Sequence, residues 1–146
     1  MIRAFDLHGT ITEEPDKYKK LMNIFKDLGD SIWIISGGTT DKIKQELSSI
    51  GFTEEDYSKI ISVVEFLQDK GHKPISYDDK GGLIFDEKIW WAAKAVICKE
   101  YNVGTLVDNE ARYGRYFVNN HPTNFIFVKH FGDNGPVFIA STNPLE

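Results

Sequence analysis

One cysteine in 146 residues, Cys98, leaves no internal disulfide to form. It falls in an apolar helical pattern and reads as a small buried hydrophobe rather than a reactive thiol. A chain without disulfides fits a reducing compartment. No apolar run approaches the roughly 20 residues of a membrane helix. The first residues lead straight into a strand pattern rather than a leader, so no membrane partner and a cytoplasmic location are expected. Basic charge is the minority: 17 Lys and Arg stand against 22 Asp and Glu, a net charge of -5. That disfavours a nucleic-acid surface. Repeats, low-complexity tracts and linkers are also lacking. One domain over residues 1–146 is therefore expected, with room for a sizeable core.

Three stretches share one plan. Ile2-Arg3-Ala4-Phe5 runs into Asp6-Leu7-His8-Gly9-Thr10. Ser31-Ile32-Trp33-Ile34-Ile35 runs into Ser36-Gly37-Gly38-Thr39-Thr40. Gly104-Thr105-Leu106-Val107 runs into Asp108-Asn109-Glu110. An apolar strand ending in a polar turn fits a buried parallel sheet, which carries its reactive groups at the carboxyl ends of its strands. If these strands are neighbours, Asp6, Ser36 and Asp108 meet in one crevice.

Between them the pattern turns helical. Thr12 is a candidate cap and Pro15 falls in the first turn of a helix. Its stripe is Tyr18, Leu21, Met22, Phe25 and Leu28, and Gly29 stops it. Thr39 or Thr40 caps a second helix, with Ile43, Leu47 and Ile50 inward. Ile60–Val64 is β-branched and reads as a third strand. Gln68–Gly82 is polar and Gly-rich, a loop or small hairpin, so residues 68–85 are the candidate flap. Asp86 caps a long helix to about Tyr101, with Ile89, Ala93, Val96 and Ile97 as its stripe. Trp90 and Trp91 read as packing residues, with a substrate platform as the alternative. Ala111–Phe117 reads as a short helix, Asn124–Val128 as a strand and Val137–Ala140 as a returning edge strand. Tyr113, Tyr116 and Phe117 are assigned to the core, with a place lining the crevice as the alternative. The order predicts an α/β fold: a Rossmann-like, three-layer parallel sheet with helices on both faces.

The crevice suggests phosphoryl chemistry. A carboxylate such as Asp6 can attack phosphorus and split hydrolysis into two easier steps. A phosphate dianion repels that carboxylate, so a cation must bridge them. Mg²⁺ needs few protein carboxylates, and Asp6 and Asp108 would supply them. Ser36 and the Gly37 N–H would bind phosphoryl oxygens, and a lysine would neutralise the remaining charge.

Phe5-Asp6-Leu7-His8-Gly9-Thr10 resembles the first motif of the haloacid dehalogenase superfamily of phosphatases. Ile34-Ile35-Ser36-Gly37-Gly38 resembles its second motif, and Leu106-Val107-Asp108-Asn109 its fourth. The three occur in family order. The resemblance implies a Mg²⁺-dependent phosphohydrolase that cleaves a phosphomonoester through an aspartyl-phosphate. Asp6 would be nucleophile and metal ligand, the His8 carbonyl and Asp108 the other protein ligands. Ser36 would bind phosphate with help from Gly9 and Gly37. The lysine of the third motif is Lys94, Lys88 or Lys73. Lys94 is preferred, because it stands 14 residues before Asp108 and borders the apolar arc of its helix.

Two departures qualify the resemblance. His8 stands where phosphatases of the family usually carry a second aspartate. An imidazole can serve as acid and then base around neutral pH, histidine's reference pKa as a residue type being near 6.5. Beyond Asp108, Asn109 and Glu110 are the nearby polar groups, and Glu110 is a candidate to orient a metal-bound water. Only 25 residues separate Thr10 from Ser36, too few for a large lid. An open site suggests a large substrate, with a nucleotide or nucleic-acid end suiting it despite the unfavourable charge, or closure by a second copy of the chain; the partner expected first is nonetheless a small phosphorylated substrate. The alternative function is a catalytically silent relative that binds a phosphorylated ligand or a protein partner. Phosphoryl transfer and carbon–halogen or carbon–phosphorus hydrolysis form a third class.

Overall fold

In the computed structural model the described residues are 1–132 and 135–141. Strand β1 (Ile2–Phe5) lies inside a six-stranded sheet, flanked by β2 (Ser31–Ser36) and β6 (Thr105–Asp108). Next to β2 is β3 (Lys59–Ser62); beyond β6 come β7 (Asn124–His130) and β8 (Pro136–Ser141). All pairings are parallel except β7 with β8, which is antiparallel. Parallel neighbours need crossovers, and helices supply them. These are α1 (Pro15–Asp27), α2 (Thr40–Ser49), α3 (Val63–Asp69), α4 (Glu87–Glu100) and the short α5 (Ala111–Gly114). A separate hairpin pairs β4 (Ser76–Tyr77) with β5 (Leu83–Ile84). Among the described residues no helix is long and apolar enough to cross a membrane.

Side-chain alternation along the strands builds two cores, one on each face of the sheet. Phe5, Ile34, Val107 and Val128 pack with Tyr18 and Met22 of α1 and Ile43 and Leu47 of α2. Ala4, Ile35, Leu106 and Phe127 pack with Val64 and Phe66 of α3, Ala93 and Ile97 of α4 and Tyr113 of α5. The three-layer α/β arrangement follows. Cys98 is fully buried in the second core.

Several local expectations need correction. The third strand stops at Ser62, because the Ser62 hydroxyl accepts from the Glu65 N–H at 3.1 Å and opens α3 there. Val63 and Val64 therefore lie in a first helical turn, where burial outweighs their β preference. Thr12 does not cap α1; Glu14 stands at that position, and Thr12 Oγ1 instead accepts from the Gly9 N–H at 2.9 Å. Leu28 and Val96 leave their helical stripes and are exposed. In α4, Lys94 and Cys98 take the buried positions beside Ala93 and Ile97. α5 ends at Gly114, where a Cβ would collide with the Phe125 ring. Tyr116 is exposed, while Tyr113 and Phe117 are core. The edge strand begins at Pro136; the turn that the sequence Gly132-Asp133-Asn134-Gly135-Pro136 predicts includes Asp133 and Asn134, which lie outside the described residues.

Candidate active site at the strand ends

Asp6 follows β1 directly and keeps one more ladder bond, from its N–H to the Val107 carbonyl at 2.9 Å. This holds its carboxylate at the carboxyl edge of the sheet. Asp108 ends the neighbouring strand β6, and Ser36 ends β2 on the other side of β1. The three residues therefore stand on adjacent strand ends.

Lys94 joins two of them. It is 1% exposed, and its ammonium donates to Asp6 Oδ1 at 2.9 Å and Asp108 Oδ2 at 2.6 Å. The Tyr113 ring centre lies 4.3 Å from Nζ. Burial alone would make Lys94 lose its proton, but the flanking Asp108 and Asp6 carboxylates raise its pKa instead. Burial pushes the Asp108 carboxyl upward while Lys94 pulls it back. The product is a nearly dry triad of one cation between two anions. Lys73 and Lys88 are exposed.

Asp6 Oδ2 faces another set. The Thr10 hydroxyl donates to it at 3.2 Å. Asn109 is surrounded by acceptors, which orient its amide nitrogen inward. It donates to Asp6 Oδ2 at 3.1 Å and to the His8 carbonyl at 3.0 Å. The close approach requires Gly9, whose φ is +76° and whose Cβ would strike the Asn109 amide.

Ser36 is 1% exposed, and its hydroxyl has no hydrogen-bond partner among the described residues. Leaving a buried hydroxyl unpaired costs about 1–3 kcal/mol, so a hydrogen-bonding ligand at these strand ends would find Ser36 ready to pair. Behind it, α2 is tied down by Glu65 of α3, which accepts from the Thr40 N–H and, at 3.0 Å, from the Thr40 hydroxyl. The Thr39 side chain caps the same end.

No family model matches this chain, and neither a curated protein nor a solved structure matches it. The site is therefore read from its own chemistry.

Not every expected residue joins it. The His8 side chain is 57% exposed, and its Nε2 is paired with the Glu46 carboxylate of α2. The imidazole thus faces α2 rather than Asp6, and only the His8 carbonyl joins the cluster. The Gly9 N–H is bonded to Thr12 Oγ1, which leaves Gly37 as the glycine of this pair nearer a phosphate role. Glu110 is engaged twice by the Arg112 guanidinium, at 2.9 and 3.1 Å, which lowers its pKa and turns it from any metal water.

Asp108 needs the same scrutiny. Oδ2 is held by Lys94, and Oδ1 accepts from the Glu110 N–H at 2.9 Å. Among the described residues no cluster of three acidic, histidine or cysteine side chains is arranged for a metal. The oxygens converging on one point are Asp6 Oδ2 and the His8 carbonyl, both facing the Asn109 amide. Hard oxygen donors suit Mg²⁺, which demands few protein ligands. The residues present fit a cation held by Asp6 and the His8 carbonyl, with Asn109 Oδ1 as third donor once the amide turns. Asp108 then serves behind them, holding Lys94.

Sequence reasoning passed over Thr10 and Glu65 as site residues. Thr10 had a faint signal, four residues after Asp6 in the same turn. Glu65 had none, because its contact comes from another element. Tyr113 was weighed as a crevice residue from its place after Asp108 and assigned to the core; it is buried and also faces Lys94.

Proposed function

We propose that the protein hydrolyses phosphomonoesters, with Asp6 as nucleophile, and that it is a small relative of the haloacid dehalogenase superfamily. One observation carries this proposal: an unpartnered buried hydroxyl, Ser36, stands beside a lysine-held carboxylate on the adjacent strand end. A phosphoryl group supplies what both lack, acceptor oxygens for the hydroxyl and an electrophile for the carboxylate.

An Asp6 oxygen attacks phosphorus, and the ester P–O bond breaks as the new one forms. The alcohol oxygen leaves with the electron pair and takes a proton. Water then attacks the acyl phosphate, releasing inorganic phosphate and restoring the carboxylate. Lys94 keeps Asp6 aimed throughout. Ser36 and the Gly37 N–H bind the transferring oxygens. When bound, Mg²⁺ would neutralise the phosphate charge that repels Asp6. The buried cysteine fits a cytoplasmic setting.

The metal assignment has a direct test. Asn109→Asp adds a second anion beside Asp6 Oδ2, so Mg²⁺ should bind at least about tenfold more tightly, worth about 1.4 kcal/mol. The Mg²⁺-induced rise in melting temperature reads this by linkage. An unchanged shift in Asn109→Asp removes Asn109 from the metal position.

The proton donor has another. His8 stands on the same turn as Asp6, and in this proposal its imidazole leaves Glu46 and gives the departing alcohol oxygen its proton. His8→Ala should slow release of phosphate from an alkyl ester by roughly 10²–10⁴-fold, the usual worth of acid–base catalysis. Aryl esters, whose leaving groups need no proton, should suffer less. Equal alkyl turnover by His8→Ala rules the imidazole out.

The outward-facing His8 side chain also favours a second function, a silent module that binds a phosphorylated ligand. A panel of phosphomonoesters assayed for phosphate release, with and without Mg²⁺, separates the two. Hydrolysis of any member supports the enzyme. Phosphate binding without turnover across the panel supports the module.

A further inference from the structure

Beside the phosphate end of the crevice is a cavity of about 250 Å³ lined by Leu83, Ile84, Phe85, Glu87, Trp90 and Trp91. That is near the small end of ligand pockets and suits a single ring system. Its place relative to the site follows from helix geometry. Trp90 and Trp91 precede Lys94 by four and three residues, so all three share one face of α4. The Cα atoms of both tryptophans stand about one turn, roughly 5 Å, toward the helix start from that of Lys94. The benzo edge of Trp90 closes on Gly37, where an added Cβ would lie 3.2 Å from the ring. The Trp90 ring is therefore a wall of the cavity on one side and packs against Gly37, next to Ser36, on the other.

Both indoles are fixed before any ligand arrives. Trp90 lies nearly parallel to Phe85, with ring centres 6.2 Å apart. Trp91 meets the Tyr113 ring edge-on at 4.8 Å and has the Arg112 guanidinium 4.0 Å over its face. Yet both remain half-buried rather than sealed in the core. The hairpin brings Leu83 and the exposed Ile84 to the same wall. The charged side chain of the lining is acidic, Glu87, which repels any second phosphate.

We propose that the preferred substrate is a phosphomonoester whose alcohol carries one planar aromatic group, seated against Trp90 and Trp91, with no further phosphate. This rests on the phosphohydrolase proposal above. Stacking a planar ring on aromatic side chains is worth roughly 5- to 150-fold in affinity. Prefixed indoles lose little freedom on binding, which favours the upper part of that range.

Calorimetry on the full chain in Mg²⁺ tests this with four probes: inorganic phosphate, methylphosphonate, naphthylmethylphosphonate and naphthalenemethanol. The naphthyl phosphonate should bind at least about tenfold more tightly than the methyl one. That ratio should fall to about threefold or less in Trp91→Ala. Ile84→Asp, at an exposed hairpin position, should do the same and guards against misfolding of the first variant. Phosphate affinity is the reference within each protein. A native ratio near one, or a ratio that survives both variants, overturns the aromatic subsite and leaves the phosphate site standing. If no phosphate or phosphonate binds, the phosphohydrolase proposal falls. Naphthalenemethanol binding that is lost in Trp91→Ala then keeps the subsite by itself, and its failure to bind ends both.

Discussion

Asp6→Asn should abolish phosphate release while leaving a folded protein. The substitution keeps the shape of the side chain and its place at the end of β1. It removes the attacking electron pair and the charge that Lys94 faces at 2.9 Å. Loss of a covalent nucleophile costs on the order of 10⁴–10⁶ in turnover. The amide oxygen can still accept from Lys94, so circular dichroism should report native secondary structure. The native protein should carry a hydroxylamine-labile phosphoryl group on Asp6 during turnover, and beryllium fluoride should inhibit it by occupying that position. Robust turnover by Asp6→Asn would show that water attacks phosphorus directly. Asp6 would then be a positioning group, and the aspartyl-phosphate route would be wrong.

The α/β fold was legible because its signals are periodic and repeated. Each of the three principal strands is an apolar run closed by a polar turn, and the helices between them carry apolar stripes at helical spacing. Such patterns survive small errors at their ends. Those ends were less legible. Val63 and Val64 look like strand residues, and only the Ser62 cap, a single hydroxyl, turns the chain into α3. Thr12 looked like a cap, yet its hydroxyl closes the turn that carries Asp6.

The site shows the same division. That Asp6, Ser36 and Asp108 end adjacent strands follows from the repeated plan and the crossover order. What each oxygen then does is not written in one dimension. Asp108 and Asn109 are neighbours in the chain and differ by an acid and an amide. In space Asp108 turns inward to Lys94, while Asn109 reaches Asp6 Oδ2 and the His8 carbonyl. Successive residues leaving a strand point to opposite sides, so which of the two meets Asp6 Oδ2 depends on where β6 ends. His8 was equally hard to place. Its carbonyl is fixed by the turn, but its side chain follows Glu46, 38 residues away on α2.

Lys94→Met should cost about 3–5 kcal/mol of stability, the usual result of removing one partner from a buried charge pair. Methionine keeps much of the aliphatic length, so the loss comes from electrostatics rather than a cavity. Asp6 and Asp108 are left facing each other in a nearly dry site with no cation between them. For a chain of this size, a loss of that order is a large share of the whole stability. Its pH dependence gives the mechanism away. Burial already pushes the Asp108 carboxyl up, and Lys94 is the group that pulls it down. Without Lys94 the folded-state pKa rises further above the unfolded value. A group with a raised folded pKa binds more protons when folded, so stability increases as pH falls through that window. Chemical denaturation of Lys94→Met should therefore show the deficit shrinking from neutral pH toward about pH 4 to 5, near the ordinary carboxylate range. A deficit that is constant over this range would mean that the loss is one of packing. A double variant, Lys94→Met with Asp108→Asn, should recover part of the stability at neutral pH, because one of the two stranded charges is gone. If it recovers none, Lys94 and Asp108 are not coupled, and the triad does not organise these strand ends.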